Sequence, residues 1–190
     1  MAGMELPEID LTDFTSADLK VLELWWKNES IANYVGPLEH QLRPSVGGSR
    51  ISAGIYRARP LQRWMARDPE TSAPIGYVSV QVTGDGGPNE GDPVNPPFHG
   101  GVNIAVDPKR QCGGIGTAIL MALLTHADLA DVATLGGVVE AKNHGSLGML
   151  RKVDVVANVT EGEVEKRRDK LFRHFVIESS RPSDAPFDRR

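Results

Sequence analysis

The sequence predicts a single α+β domain, and three observations carry that prediction. Stretches rich in β-branched residues recur, most clearly at 75–82, 101–106 and 171–178. Between them lie segments with helical spacing, at 16–35, 114–130 and 143–152. The chain has 190 residues, 40% of them hydrophobic and 24% charged, which suits one ordinary core. Its Pro/Gly-rich stretches are too short, and the strands flanking them too few, for two independent domains.

Taken in order, residues 1–14 read as an N-terminal extension and 15–178 as the domain. Within 16–35, Asp13 or Ser16 can cap a helix, and Leu19, Leu22, Trp25 and Trp26 recur at helical spacing. A break at 27–30 starts a second short helix with Ile31 and Tyr34, stopped by Gly36-Pro37. Residues 36–50 read as a loop and 50–58 as β-rich. Residues 61–67, a turn at 68–74 and 75–82 read as a hairpin. Residues 83–100, dominated by Gly, Pro, Asn and Asp, read as a long loop, a length that implies disorder or function.

The strand at 101–106 breaks at Asp107-Pro108. The helix at 114–130 carries Ile115, Ala118, Ile119, Ala122 and Leu123 inward and ends before Gly136-Gly137. A short strand at 138–141, a helix at 143–152 and strands at 153–159 and 171–178 complete the domain. The polar tail 179–190 reads as mobile.

Bulk properties exclude several classes. The longest apolar run, 118–124, is far below the roughly 18–20 residues of a membrane-spanning helix. The acidic N-terminus has no secretory pattern. One cysteine, Cys112, forms no internal disulfide and fits a reducing, cytoplasmic setting, which makes the sequon Asn158-Val159-Thr160 meaningless. A net charge of −4 argues weakly against general nucleic-acid affinity, and the short apolar runs imply no membrane partner. The basic run 166–170 is read as a solvated hairpin or helix end before a phosphate patch.

The informative stretch is 106–118, Val-Asp-Pro-Lys-Arg-Gln-Cys-Gly-Gly-Ile-Gly-Thr-Ala. A strand ends at a proline, a basic glycine-rich turn follows, and an apolar helix begins. Such a helix start aims free N–H groups and the positive end of the helix dipole at one point, which suits an anion. Glycines at 113, 114 and 116 let a pyrophosphate reach the amides, and Lys109 and Arg110 add charge at the rim. A plain helix-starting turn explains the same glycines. A Walker A loop is excluded because no lysine follows Gly116, and the glycines are in the wrong order for a dinucleotide fingerprint.

These residues resemble the GCN5-related N-acetyltransferases (GNAT). The family's coenzyme signature, Gln/Arg-x-x-Gly-x-Gly/Ala after a Val-x-Pro strand end, is matched by Val106-Asp107-Pro108 and Gln111-Cys112-Gly113-Gly114-Ile115-Gly116. A second motif is matched by Asn143, Ser146 and Lys152. Residues 24–34 and 74–79 add fainter likeness to the family's first helices and third strand. The chain departs in having Asp154-Val155 where Gly-Phe is expected, and Leu150 where many members place a tyrosine acid.

The resemblance implies a mixed, mostly antiparallel sheet with helices on both faces and a cleft where the family's fourth and fifth strands splay apart. It implies acetyl-CoA as co-substrate, no metal, and transfer of the acetyl group to a primary amine by direct attack on the thioester. Ile104, Ala105 and Val106 would hold the pantetheine arm. Gln111, Cys112, Gly113, Gly114, Ile115, Gly116 and Thr117 would hold the pyrophosphate, with Asn143 and Ser146 beside the arm.

Glu140 is the candidate base, against a plain surface carboxylate, and His99 and Glu90 are fainter ones. Ser146 is a candidate donor to the sulfur, and Asn143 also reads as a helix N-cap. Cys112 is not read as a nucleophile, since no histidine is near it in sequence. Trp25, Trp26 and Tyr34 are candidates for the acceptor pocket, with core packing favoured for one tryptophan. The acceptor is an amine-bearing small molecule, or a protein or peptide, and a homodimer stays open. The alternative reading is a catalytically inactive acyl-CoA-binding sensor or interaction module.

Overall fold

The computed structural model describes residues 6–86, 92–167 and 169–178. Its strands are β1 (Asp10–Asp13), β2 (Arg50–Ser52), β3 (Ile55–Arg57), β4 (Gln62–Arg67), β5 (Pro74–Gly86), β6 (Val94–Val106), β7 (Val132–Glu140), β8 (Val159–Arg167) and β9 (Lys170–Glu178). Its α-helices are α1 (Leu19–Trp25), α2 (Glu29–Val35), α3 (Leu38–Leu42), α4 (Ile115–Thr125) and α5 (His144–Val153). The nine strands form one sheet in the order β1-β4-β5-β6-β7-β9-β8, with β3 paired to β5 and β2 to β3. Every pairing is antiparallel except β6 with β7.

Side chains alternate across the pleat, and this sends the two sides of β5 and β6 into different cores. On one face Val78, Val80, Val82 and the β7 residues Leu135 and Val139 meet Ile119, Leu120 and Leu123 of α4 and Leu150 and Val153 of α5. On the other face Met65, Tyr77 and Ala105 meet Leu22, Trp25 and Ile31 of the first two helices. Phe14 and Trp26 pack edge-on against the Tyr77 ring, at centroid distances of 5.7 and 6.1 Å. Helices therefore cover both faces of the sheet.

Several sequence expectations are corrected. The supposed loop 83–100 is largely strand: β5 runs to Gly86 and β6 starts at Val94, and the two pair from Gly76–Val106 to Gly86–Val94. Part of the supposed extension 1–14 is β1, which pairs with β4. A short helix, α3, stands within the supposed loop 36–50. The expected strand at 153–159 is the end of α5 and a turn, and Val155 and Val156 are exposed. The 114–130 helix stops at Thr125, and a 3-10 turn follows at Ala127–Leu129. The basic run falls at the β8–β9 hairpin, where Arg167 pairs with Lys170. The tail 179–190 and residues 1–5 lie outside the described residues. Among the described residues no helix is long and apolar enough to cross a membrane.

The first helix is tied to the sheet through Asp18, a buried carboxylate. One of its oxygens accepts from the Thr15 amide and hydroxyl at 2.9 Å each, and the other accepts from Arg67 on β4. Burial alone would raise the Asp18 carboxyl. The bonds from Thr15 and Arg67 outweigh it and hold the group below the ordinary aspartate value. A depressed carboxylate contributes stability above its unfolded value near pH 3.9 and loses it as the pH falls through the folded value. Asp18→Asn should therefore cost about 1.5–3 kcal/mol in urea unfolding at pH 7, as for a hydrogen bond to a charged group. The gap from the parent should close as unfolding is repeated from pH 5 downward.

Candidate active site

The site starts from a failure of strand pairing. β6 keeps β5 along one edge to Val106, but on its other edge it pairs with β7 only from Phe98–Val132 to Gly101–Gly136. Beyond those residues β6 and β7 diverge. The Val102 carbonyl points toward β7, since a Cβ on Gly137 would lie 3.2 Å from it, whereas the Ala105 carbonyl points toward Gly76 of β5. Backbone groups alternate in direction along a strand, so those of Ile104 and Val106 face the gap with Val102. Polar backbone facing a gap wants a partner. The Val106 carbonyl accepts from the Gln111 side chain at 3.4 Å. Ala105 turns away: its backbone faces β5 and its methyl is in the core beneath α1 and α2.

At the open end of the gap the chain turns into α4. The Asp107 side chain accepts from the Lys109 amide at 3.0 Å, and its carbonyl accepts from the Arg110 amide at 2.8 Å, which tightens the turn. Two residues adopt positive φ, Cys112 at 66° and Gly114 at 83°. Gly114 is the N-cap, and its left-handed backbone swings the chain into the helix without a Cβ penalty. The first helical bond runs from the Ala118 amide to the Gly114 carbonyl. The amides of Gly114, Ile115, Gly116 and Thr117 thus precede any helical acceptor. Arg110 is ion-paired with Asp68 at 3.0 Å, so part of its charge is already met, while Cys112 is exposed.

A cavity of about 70 Å³ runs through the gap. Val102, Ile104, Leu120, Val139, Asn143, Ser146 and Met149 line it, with Tyr34, Asn103 and Glu140. Met149 links it to the turn, since its sulfur would be 3.1 Å from a Cβ on Gly116. Asn143 caps α5, its side-chain oxygen accepting from the Ser146 amide at 3.1 Å. Glu140 is buried at the end of β7 and accepts from Lys170 at 2.8 Å.

A second, larger cavity of about 380 Å³ opens on the face carrying α1–α3. It is lined by Gln81, Thr83, His99, Thr134, His174 and a floor of glycines. His99 contacts the Thr134 hydroxyl at 2.7 Å. His174 contacts Glu165 at 3.2 Å, and hydrogen bonds from Arg167 first and then His174 hold the Glu165 carboxyl down at about 2.

The structure thus gathers Ile104, Glu140, Asn143 and Ser146 around one cavity; Val106 and the 111–117 turn do not line it and follow at the end of β6, with Met149 between the cavity and Gly116. His99 belongs to the second cavity, and Glu90 lies outside the described residues. Tyr34 reaches the first cavity. Trp25 is core, and Trp26 donates to the Gly36 carbonyl at 2.7 Å and packs edge-on against Tyr77; neither tryptophan lines the cavity. Sequence reasoning did not reach Asn103, Val138, Met149 or Phe175. Asn103 alone carried a signal, as the lone polar residue in 101–106.

A sheet split between two parallel strands, with an anion-ready helix start at the open end, is the architecture of a coenzyme A-dependent acyltransferase. Residues 21–154 match the family model of the Acetyltransferase (GNAT) family, and the chain belongs to that family of N-acetyltransferases, whose acyl donor is acetyl-CoA. No curated protein sequence matches the chain.

Solved structures share the fold. Aminoglycoside acetyltransferase AAC(6')-Ib in complex with coenzyme A has a TM-score of 0.62 at 20% identity, over 90% of this chain and 95% of that one. Spermidine N-acetyltransferase from Vibrio cholerae, in complex with CoA and spermine, gives 0.58 at 13%, over 90% and 96%. The ribosomal-protein-S18-alanine N-acetyltransferase from Escherichia coli gives 0.56 at 15%, over 94% and 98%.

The turn can be probed without strain at Gly113, where φ is not positive and a Cβ would have only the Arg110 carbonyl at 3.4 Å. A side chain at Gly114 would add about 1–2 kcal/mol of left-handed strain and confuse the result. Gly113→Glu should weaken coenzyme A binding more than tenfold in calorimetric titration. Its thermal stability should stay close to the parent's, as for an exposed substitution of about ±0.5 kcal/mol.

Proposed function

We propose that the chain transfers an acetyl group from acetyl-CoA to a primary amine by direct attack on the thioester. The observation that carries this reading is the unpaired edge of β6, which leads from the Gly114 helix start into a cavity crossing the sheet. The local residues fit the coenzyme. The amides of Gly114, Ile115, Gly116 and Thr117, reached past Gly113 and Cys112, are donors for a diphosphate at the positive end of α4. Gln111 braces the turn against Val106. The Ile104 backbone, facing the gap, suits an amide-bearing arm and offers an N–H to polarise a carbonyl. The Asn143 amide group stands beside that arm.

When bound, acetyl-CoA supplies an activated acyl group on a thiol leaving group. The protein's task is to deliver a neutral amine. An amine of pKa near 10.4 is neutral in about one molecule in 2,500 at pH 7, so a base beside the cavity raises the reactive fraction. Glu140 occupies that place, fixed by Lys170. Ser146, at the first turn of α5, lines the same cavity and is the candidate donor to the thiol sulfur. The acceptor approaches from the face of Tyr34 and Asn103, with the second cavity, mostly apolar and edged by His99 and His174, as its approach.

The acceptors named for the solved relatives are aminoglycosides, spermidine and a protein alanine, and these define the panel for a test. Release of free coenzyme A is measured with aminoglycosides, polyamines and peptides. At least one amine should give turnover, and no release with any of them would defeat the reading. With the active amine, Glu140→Gln should lower kcat/KM by about 10²-fold, the low end for a lost general base. It should also remove the acidic limb of the pH–rate profile. An unchanged profile would clear Glu140 of the role.

A further inference from the structure

Val138 and Phe175 are the two side chains that line both cavities. Val138 is over a third exposed, but Phe175 is buried at 7% and belongs to the core on the α4 face. It stands on β9 directly opposite Gly137, one residue past the last β6–β7 pair, Gly101–Gly136. At this closed end of the gap, residues 100, 101, 136 and 137 are all glycine and contribute no side chains. The Phe175 ring takes the space left by Gly137. A Cβ on Gly137 would lie 3.2 Å from the Phe175 Cζ and 3.2 Å from the Val102 carbonyl oxygen. A Cβ on Gly136 would lie 2.7 Å from the Phe175 carbonyl oxygen. The glycine pair on β7 is thus the condition for β9 to lie this close and for its ring to plug the seam.

The direction of the gap makes that position consequential. The phosphate-binding turn is at the mouth, after Val106, and the strands converge toward Gly101. From Val106 to Val102 is four residues, about 13 Å at the rise of a strand. An arm entering at the mouth and following the β6 edge carries its acyl end toward Phe175. The whole cavity through the gap, of which Phe175 is one wall, is about 70 Å³, a few water-sized groups against the roughly 10–15 Å³ one water requires. Core rings do not move aside cheaply, because interiors are close-packed.

We propose that Phe175 sets the acyl-chain length this enzyme accepts, acting as the end wall of the acyl pocket and restricting it to short acyl groups. The inference rests on the reading of the gap as the coenzyme site, and the test separates the two.

Dissociation constants of coenzyme A and its acetyl, propionyl, butyryl and hexanoyl thioesters are measured by calorimetry, with no acceptor present. Each is expressed relative to unacylated coenzyme A, so that general loosening of the protein cancels. The parent should bind coenzyme A and acetyl-CoA comparably and lose affinity at least tenfold by hexanoyl-CoA. Phe175→Ala should recover most of that loss. Phe175→Leu, which keeps an apolar side chain in the core, should recover part of it and serves if the alanine variant does not fold. A parent that binds no coenzyme A overturns the coenzyme site itself, and this inference with it. A parent that binds coenzyme A with a flat chain-length profile, or a steep one unchanged in both variants, overturns the role of Phe175 alone.

Discussion

The divergence of β6 from β7 is the constraint on which the rest depends. A parallel pair that stays together would satisfy both strands and leave a closed sheet with nothing to bind. Here pairing stops at Gly101 and Gly136, yet past that point β6 stays paired with β5 to Val106 and β7 with β9 to Glu140. Each half of the sheet is hydrogen-bonded within itself, and the seam between them is open. The unpaired edge of β6 is a row of polar backbone groups beside Asn103, Glu140, Asn143 and Ser146, and leaving such groups unpaired is costly. On the proposed reading the gap suits ligands that can hydrogen-bond along a strand.

What keeps the gap from collapsing is packing on both sides. α4 and α5 wedge one face with Leu120, Leu150 and Val153, while Leu22, Trp25 and Ile31 hold Tyr77 and Ala105 on the other. Because β6 contributes Ile104 to one core and Ala105 to the next, neither face can shift without disturbing the strand that edges the gap. Phe175 completes the arrangement at the narrow end. The helix start at Gly114 sits at the wide end, where a charged group needs access to solvent.

Legibility in the sequence followed how local each signal was. The turn at 106–118 and the cap at Asn143 were readable because glycine and asparagine declare their backbone geometry in place. The strands through 83–86 and 94–100 were not, because local composition there argues for a loop and the ladder overrides it. Pro96 and Pro97 lie where pairing with β5 skips from Thr83–His99 to Asp85–Asn95, so their missing N–H groups are tolerated. Val153, Val155 and Val156 mimic a strand, but Val153 is the last buried residue of α5 and the others face solvent. Phe175 occupies an ordinary strand position, and nothing in its neighbours announces the glycines it meets on β7. The pair Gly136-Gly137 read as a helix stop, and its packing reason emerges only from the β7–β9 register.

The departure at Leu150 then takes on a definite meaning. Leu150 is 5% exposed and packs in the core with Val153, so that side of α5 is used for stability and offers no proton. In the proposed reaction the two ends of the transfer make unequal demands. The amine sits more than three pKa units above neutrality, and the thiol leaves from a reference value near 8.5, only about 1.5 units above it. A missing base therefore limits the rate far more than a missing acid does. On the proposed reading, with Glu140 as the base and position 150 given to the core, the chain has the group whose absence would cost more, and solvent or Ser146 would serve to protonate the thiolate.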